Sequence, residues 1–390
     1  MSVDTGLVSR RAAAAAGSPT LHTRPRPVIR ALVCVGAALL AAPRLPAAPD
    51  PSTLIGLSCR QVVPTSAPPV TWWAPPGDRD RAELSRWCET VGPVFFQPRP
   101  ANRADDRIDR LAIVTWNLHV GSGDVDDLVG RLRRGEFTAG ERVEQFVLLL
   151  QEVYRRDAGI PVRIPHGYPA PSRIAARAGR GPDIRHFSRD DGFAVLYAPS
   201  MRNGVVDEDR EDRGNAIVST LALQDPAIVE LPVEHQRRAV AAAIVDGRTQ
   251  AGARWRLRLA DVHLDTALAL MHGGPFAARR RQADALIGAL AGLSESTVPI
   301  TATIVAGDFN TWRGRGEPAL RALRRAFPNV PDAPRPPTWV GPLGIHATLD
   351  HVFVGGLTAD VEVRRLPDRF GSDHYPLIAL VSFDRAAGAR

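Results

Sequence analysis

Ten apolar runs of strand length lie between residues 108 and 383, and several follow one another with no helical stretch between. They are Ile108–Leu118, Phe146–Glu152, Gly192–Ala198, Asn215–Leu221, Arg238–Val245, Trp255–Leu264, Thr301–Ala306, Leu349–Val354, Val361–Leu366 and Pro376–Phe383. Helical spacing is confined to Val125–Arg134, Gly140–Gln145, Phe276–Leu293 and Glu317–Ala326. A doubly wound parallel sheet requires a crossover, usually a helix, between successive strands, and this order lacks them. The pattern predicts a mixed α/β (α+β) sandwich of two packed β-sheets with helices outside. With 390 residues, 44% of them apolar, the chain can bury such a core as one large domain or two smaller ones.

The first 48 residues read differently. Arg10, Arg11, Arg24, Arg26 and Arg30 precede the apolar stretch Ala31–Ala42, which is short for a bilayer span. Small residues follow at Leu45-Pro46-Ala47-Ala48. The order predicts a signal peptide over residues 1–48 and a secreted product, extracellular or periplasmic, with an uncleaved anchor as the competing reading. The segment also changes what the charge implies. All 49 basic residues are arginine; residues 1–48 hold six of them and one aspartate, a net +5, so the rest carries only +2 of the total +7. Net charge alone therefore gives weak grounds for binding nucleic acid.

Beyond the signal two cysteines remain, Cys59 and Cys88, and in an oxidising compartment they are expected to form a disulfide. They lie in a proline-rich extension, residues 49–106, with one helical stretch at Asp78–Thr90 that aligns Leu84 and Trp87. The extension is expected to pack on the main domain; a cap facing the substrate is the alternative. Residues 107–385 form the expected catalytic domain.

Six polar clusters sit at the ends of its apolar runs. They are Thr115-Trp116-Asn117-Leu118-His119, Leu150-Gln151-Glu152-Val153, Asp261-Val262-His263-Leu264, Gly307-Asp308-Phe309-Asn310, Leu349-Asp350-His351-Val352 and Gly371-Ser372-Asp373-His374-Tyr375-Pro376. One such cluster is usually a solvated strand end or a helix cap. Together they deliver Asn, Glu, His and Asp to one rim. Carboxylate and amide oxygens there suit a hard divalent cation, and an adjacent imidazole can move protons near neutral pH.

The ordered set Trp-Asn, Gln-Glu, His-Leu, Gly-Asp-Phe-Asn, Leu-Asp-His and Ser-Asp-His-Tyr-Pro resembles the endonuclease/exonuclease/phosphatase superfamily, of deoxyribonuclease I-like fold. The resemblance covers roughly residues 107–385 and implies a four-layered sandwich. It implies that Glu152 is the principal Mg²⁺ (or Mn²⁺) ligand, with Asn117 supporting metal and phosphate and Asp373 a further ligand. It implies that Asp308 and Asn310 orient the nucleophile. His374 would be the general base or a phosphate-binding imidazole, oriented by Asp350, and His263 would contact the phosphate or serve the leaving group. Either Arg237 or Arg238 could hold a phosphate oxygen, and Asn215 could approach it. For the carboxylate partner of His263 only Asp191 and Asp212 offer themselves. His119 and His351 are read as bystanders.

The expectation is thus an exported Mg²⁺- or Mn²⁺-dependent phosphoric ester hydrolase, a phosphodiesterase using water as nucleophile. A nuclease acting on DNA or RNA stands marginally ahead of a sphingomyelinase-like or inositol-phosphate hydrolase recognising phospholipid head groups. A monomer with no obligate protein partner is expected. A non-catalytic interaction protein on this fold is disfavoured, because every core position keeps a chemically competent residue.

Overall fold

The central strands are apolar on both faces, and that alone fixes how many layers must cover them. In β4 (Arg110–Asn117), Leu111 and Ile113 alternate with Ala112, Val114 and Trp116, and all five are buried. Successive side chains of a strand point to opposite faces, so such a strand must be covered twice. The computed structural model describes residues 58–101, 106–162, 183–204, 210–266, 274–293, 299–329, 336–356 and 360–383. The signal expected over residues 1–48 lies outside them.

Two mixed sheets face each other. The eight-stranded sheet joins β4 to β1 (Val62–Val63), β3 (Val94–Gln97), β5 (Phe146–Arg156), β6 (Ala194–Arg202), β7 (Glu211–Ser219), β15 (Asp360–Arg365) and β16 (Leu377–Ser382), in the order β1-β3-β6-β7-β5-β4-β16-β15. The six-stranded sheet contains β2 (Thr71–Trp73), β8 (Gln224–Glu230), β9 (Ala239–Arg248), β10 (Arg254–His263), β11 (Ala302–Asp308) and β14 (Asp350–Gly355), in the order β14-β11-β10-β9-β8-β2. A short hairpin, β12 (Trp339–Val340) with β13 (His346–Ala347), stands apart.

Three apolar layers follow. Between the sheets Leu111, Ile113, Leu149 and Ile217 meet Ala241, Leu257, Leu259 and Ile304. The outer face of the larger sheet packs Val114, Trp116 and Leu148 against α2 (Val125–Arg133) and α3 (Ile184–Arg189). The outer face of the smaller sheet packs Val240, Val262 and Val305 against α4 (Pro275–Gly292) and α5 (Pro318–Ala326). The result is the four-layered α/β sandwich expected from the strand pattern and the resemblance. Among the described residues no helix is long and apolar enough to cross a membrane.

All ten expected strands are present. The helix expected at 140–145 is not: Ala139 and Gly140 take φ of 55° and 90°, turning the chain left-handed where that helix would begin. Strand β8 was hidden by Pro226 and by a register shift between Gln224 and Ala227, the kind of irregularity that accommodates proline in a sheet. Residues 58–101 do more than pack on the sandwich, since β1 and β3 extend one sheet and β2 the other. Helix α1 (Asp78–Cys88) buries Leu84 and Trp87 against Met201 and Val233, and Cys59 is bonded to Cys88 across a sequence separation of 29.

One glycine holds the site end of the smaller sheet. Gly307 has φ 149°, and a Cβ there would collide with the backbone carbonyl of Val262, its register partner on β10. Gly307→Ala should therefore lower stability by more than about 1 kcal/mol, seen as a fall in Tm. An unchanged Tm would mean that the two strands can separate freely there.

Candidate active site

Along the sheet faces that meet, side chains stay apolar until one end of the sandwich and then turn polar. On β4 the series Leu111, Ile113 ends in Thr115 and Asn117, and on β5 Val147 and Leu149 end in Gln151. On β10 Leu257 and Leu259 lead to Asp261 and His263, and on β11 Ile304 and Ala306 lead to Asp308. The antiparallel neighbours β14 and β16 contribute from their starts, through Asp350 and His374. Period-two alternation thus delivers six elements' polar ends to one rim.

Asp308 is the hub. Its Oδ2 accepts from Asn117 Nδ2 at 3.0 Å, and its Oδ1 accepts from the Asn310 backbone N–H at 2.9 Å. The Nε2 atoms of His263 and His374 stand 3.5 and 3.7 Å from Oδ2, beyond hydrogen-bond length. His374 Nδ1 lies 2.8 Å from Asp350 Oδ2, which fixes the ring. The His374 backbone is held by Ser372 Oγ, which in turn donates to the Asn117 carbonyl, and by Trp116 Nε1. Thr338 Oγ1 accepts from the backbone N–H groups of Leu349 and Asp350. Asp308, Asp350 and His374 also bring ligand atoms close enough together to share a cation.

These contacts split the charge states. Burial alone would strip the proton from His374, but Asp350 and Asp308 outweigh it and raise its pKa. Burial raises Asp308, and the neighbouring Asp350 adds to the shift. His263 is driven well below the ordinary value by burial, with Arg238, His374 and Arg213 adding to the effect. One imidazole is thereby held charged and the other neutral across a single carboxylate.

Glu152 reaches the rim through a break in alternation. Its φ is 53°, and the β5–β7 register shifts between Leu150 and Val153. The bulge returns Val153 to the helix-covered face, where it is fully buried. Such a non-glycine conformation is strained and persists only when its surroundings hold it. The Glu152 carboxylate is 3.6 Å from Arg213 Nη1, too long for a hydrogen bond, which leaves its oxygens open to a cation. Glu152, Asn117 and Asp373, the ligands expected from the sequence, offer oxygens of the kind Mg²⁺ or Mn²⁺ takes, though Asn117 Oδ1 already accepts from the His119 backbone N–H at 2.9 Å. Asp373 is already engaged: His119 Nδ1 lies 3.1 Å from its Oδ1, and Trp339 Nε1 donates to its Oδ2 at 3.0 Å. Burial would push Asp373 up, but these partners and His374 bring it down to about 2.

Several expectations change. His119 is no bystander, since it pairs with Asp373 from a left-handed backbone (φ 49°). His351 is one: its Nε2 lies 3.0 Å from Thr311 Oγ1 and its ring stacks on Phe353. Arg237 holds no phosphate; it is fully buried, paired with Glu230 through two nitrogens at 3.0 and 2.5 Å, and also donates to the Pro199 and Ser200 carbonyls. Arg238 is left of that pair, with Nη2 on Gln236 Oε1 and a buried, unsatisfied Nε. Asn215 gives its amide to the Asp261 carbonyl and so clamps one sheet to the other. Neither proposed partner of His263 is near it, since Asp212 is taken by Arg155 and Tyr197, and Asp191 faces His186. The sequence reading missed Arg213, Thr338 and Trp339, which belong to no polar cluster at a strand end. Arg237→Ala should cost about 3–5 kcal/mol of stability by stranding Glu230, while Arg238→Ala should cost much less; equal Tm losses would contradict this division.

The sequence matches the Endonuclease/Exonuclease/phosphatase family over residues 114–374, about two thirds of the chain. No curated protein matches it. Among solved structures it is similar to an endonuclease/exonuclease/phosphatase from Beutenbergia cavernae DSM 12333, at 18% identity and a TM-score of 0.48, covering 72% of this chain and 74% of that one. An endonuclease/exonuclease/phosphatase family protein from Leptotrichia buccalis C-1013-b gives 12%, 0.46, 70% and 100% in the same terms. Sphingomyelinase C from Streptomyces griseocarneus gives 15%, 0.40, 71% and 100%. The family match carries the assignment, and TM-scores below 0.5 add nothing to it.

Proposed function

The chain belongs to the endonuclease/exonuclease/phosphatase family, and on that footing we propose that it is an exported, divalent-metal-dependent phosphodiesterase whose nucleophile is water. The observation that carries this reading is the placement of Asp308 Oδ2 between His263 and His374, at 3.5 and 3.7 Å. Those gaps are longer than good hydrogen bonds, and an oxygen seated to one side of the three atoms, rather than between them, could contact all of them. Export is supported by the pattern of residues 1–48 and by the Cys59–Cys88 bond, which belongs to an oxidising compartment. Residues 107–385 are the proposed catalytic domain, with residues 58–101 completing its sheet edges.

In this reading Asp308 Oδ2 holds the attacking water and takes its proton, a role suited to a carboxyl whose pKa burial has raised. Asn310 aligns Asp308 through its backbone N–H, and its side chain, bonded to the Leu264 carbonyl, holds that segment in place. His374, charged, hydrogen-bonds a phosphoryl oxygen through its Nε2–H, while Asp350 accepts from Nδ1 and fixes the ring. This selects the phosphate-binding role for His374 over that of general base, because its two carboxylate neighbours favour the charged ring. His263, neutral, donates its ring N–H to an ester oxygen on the other side. Arg238 and Arg213 add positive charge beside Glu152. Mg²⁺ or Mn²⁺ bound by Glu152, with Asn117 and Asp373 alongside, would neutralise charge developing on the phosphoryl oxygens.

Part of the arginine surplus is internal and adds nothing to the surface charge a nuclease would use. Arg155, Arg237 and Arg279 are fully buried in pairs with Asp212, Glu230 and Glu317. The class of phosphodiester is therefore left to other features of the surface.

Purified protein should hydrolyse bis-nitrophenyl phosphate, lose that activity in EDTA and regain it with Mg²⁺ or Mn²⁺. His374→Ala should lower kcat about 10²–10⁴-fold with the circular dichroism spectrum unchanged, and Glu152→Gln should demand far more metal. Turnover indifferent to EDTA, or a fully active His374→Ala, would sink the reading. A panel of plasmid DNA, RNA, sphingomyelin and phosphoinositides then separates the substrate classes.

A further inference from the structure

Four large apolar side chains are well exposed among the described residues, and three of them gather at one corner: Trp312, Leu343 and Ile345, with 42%, 101% and 55% of their surface exposed. Scattered exposed apolar residues need no explanation, but a cluster does. Leu343 and Ile345 occupy the tip of the β12–β13 hairpin, which is closed by the Gly341 N–H donating to the Ile345 carbonyl at 2.8 Å. Trp312 meets the root of the hairpin, its ring 5.0 Å from that of Trp339 in an edge-to-face arrangement.

The tip is strained as well as apolar. Leu343 adopts φ 59°, ψ 19°, a left-handed conformation that glycine takes without penalty and leucine does not. Its side chain gains no burial in return. A strained residue with a fully exposed apolar side chain points to a contact made outside the chain.

The root of the same hairpin is part of the candidate site. Trp339 Nε1 donates to Asp373 Oδ2, the Val340 N–H donates to the Asp373 carbonyl at 3.0 Å, and Trp339 forms an isolated bridge with His374. Leu343 follows Trp339 by four residues, across the strand Trp339–Val340 and into the turn Pro342–Gly344. Whatever holds the tip is thereby held at a short, fixed distance from the catalytic cluster.

Size and charge decide between possible occupants. A stable interface between two proteins buries roughly 1,200–2,000 Å², far more than a convex finger of three side chains can offer. A lipid surface needs no shape match, and tryptophan and arginine suit its headgroup zone. Arg313 and Arg315 are exposed next to Trp312 in the chain, with Arg313 over the Phe276 ring, so the Trp312 side of the patch carries positive charge.

We propose that the 339–347 hairpin, with Trp312, Arg313 and Arg315, seats the chain on an anionic lipid surface and presents a phospholipid headgroup diester to the Asp308–His374 cluster. The substrate half of this proposal rests on the phosphodiesterase reading above; the docking half does not.

The test uses the full-length protein with bilayers of brominated phosphatidylcholine and phosphatidylglycerol, which quench tryptophans that reach the acyl chains. The signal is the emission lost in Trp312→Phe, so contact made by any other segment does not count. That emission should be quenched in the wild type, and the double variant Leu343→Gly, Ile345→Ser should need at least about tenfold more lipid for the same quenching. Leu343→Gly relieves the left-handed strain, so the double variant should keep or raise its Tm, and loss of quenching will not reflect unfolding. It should also hydrolyse soluble bis-nitrophenyl phosphate at the wild-type rate. No quenching of Trp312, equal quenching in the double variant, or a concentration-dependent dimer that the double variant abolishes would each overturn the docking. If docking holds and nucleic acid is cleaved while phospholipids are not, the substrate half falls; if no phosphodiester is cleaved at all, the earlier reading falls with it.

Discussion

The hydrogen bond from Asn117 to Asp308 joins the C-terminal end of a strand in one sheet to that of a strand in the other. Everything at the rim depends on that junction. Asp308 is 2% exposed, so its carboxylate has lost most of its water and must be compensated by fixed dipoles and charges. His374, the Asn310 N–H and Asn117 supply that compensation from separate parts of the chain. The Asn215–Asp261 and Gln151–Asp261 contacts repeat the arrangement one layer deeper, tying the sheets together beneath the site. The polar end of the sandwich is thus both the candidate site and the seam that ties the two sheets together.

Much of this was legible in the chain because burial on both faces leaves a strong mark. Leu111–Trp116 and Val147–Leu150 can be little other than central strands, and the polar residues closing them fall on the rim by alternation alone. Legibility failed where geometry departs from alternation or where a partner lies far away in sequence. Pro226 masked β8, and Gly140 turned an expected helix into a left-handed corner. Arg237 and Arg238 are adjacent and chemically identical; only Glu230, drawn close by the hairpin between β8 and β9, gives one of them a carboxylate partner while the other, also buried, has Gln236. His119 looked incidental because its partner, Asp373, lies at the other end of the domain sequence.

Charge shows the same dependence on fold. A chain with 49 arginines and no lysine suggests a polyanion binder, yet several of those guanidiniums serve as internal fasteners. Arg155 joins β5 to Asp212 on β7 and lies over the Tyr197 ring, and Arg279 ties α4 to Glu317 at the start of α5. The planar, permanently charged guanidinium suits such burial better than an ammonium would.

The two edge additions made by residues 58–101 bear on the order in which the molecule can assemble. Phe95 on β3 pairs with Tyr197, and Trp72 on β2 pairs with Ile228. A chain emerging from its N-terminus therefore leaves β2, and the edge of β3 not paired with β1, waiting until β8 and β6 have followed. Cys59 and Cys88, by contrast, are near neighbours in sequence and can be joined while the rest is still arriving. The covalent link would keep the early segment compact during that wait, shielding apolar edge strands from pairing with other chains. Both sheets are thus completed at an edge by a segment that precedes the strands it pairs with.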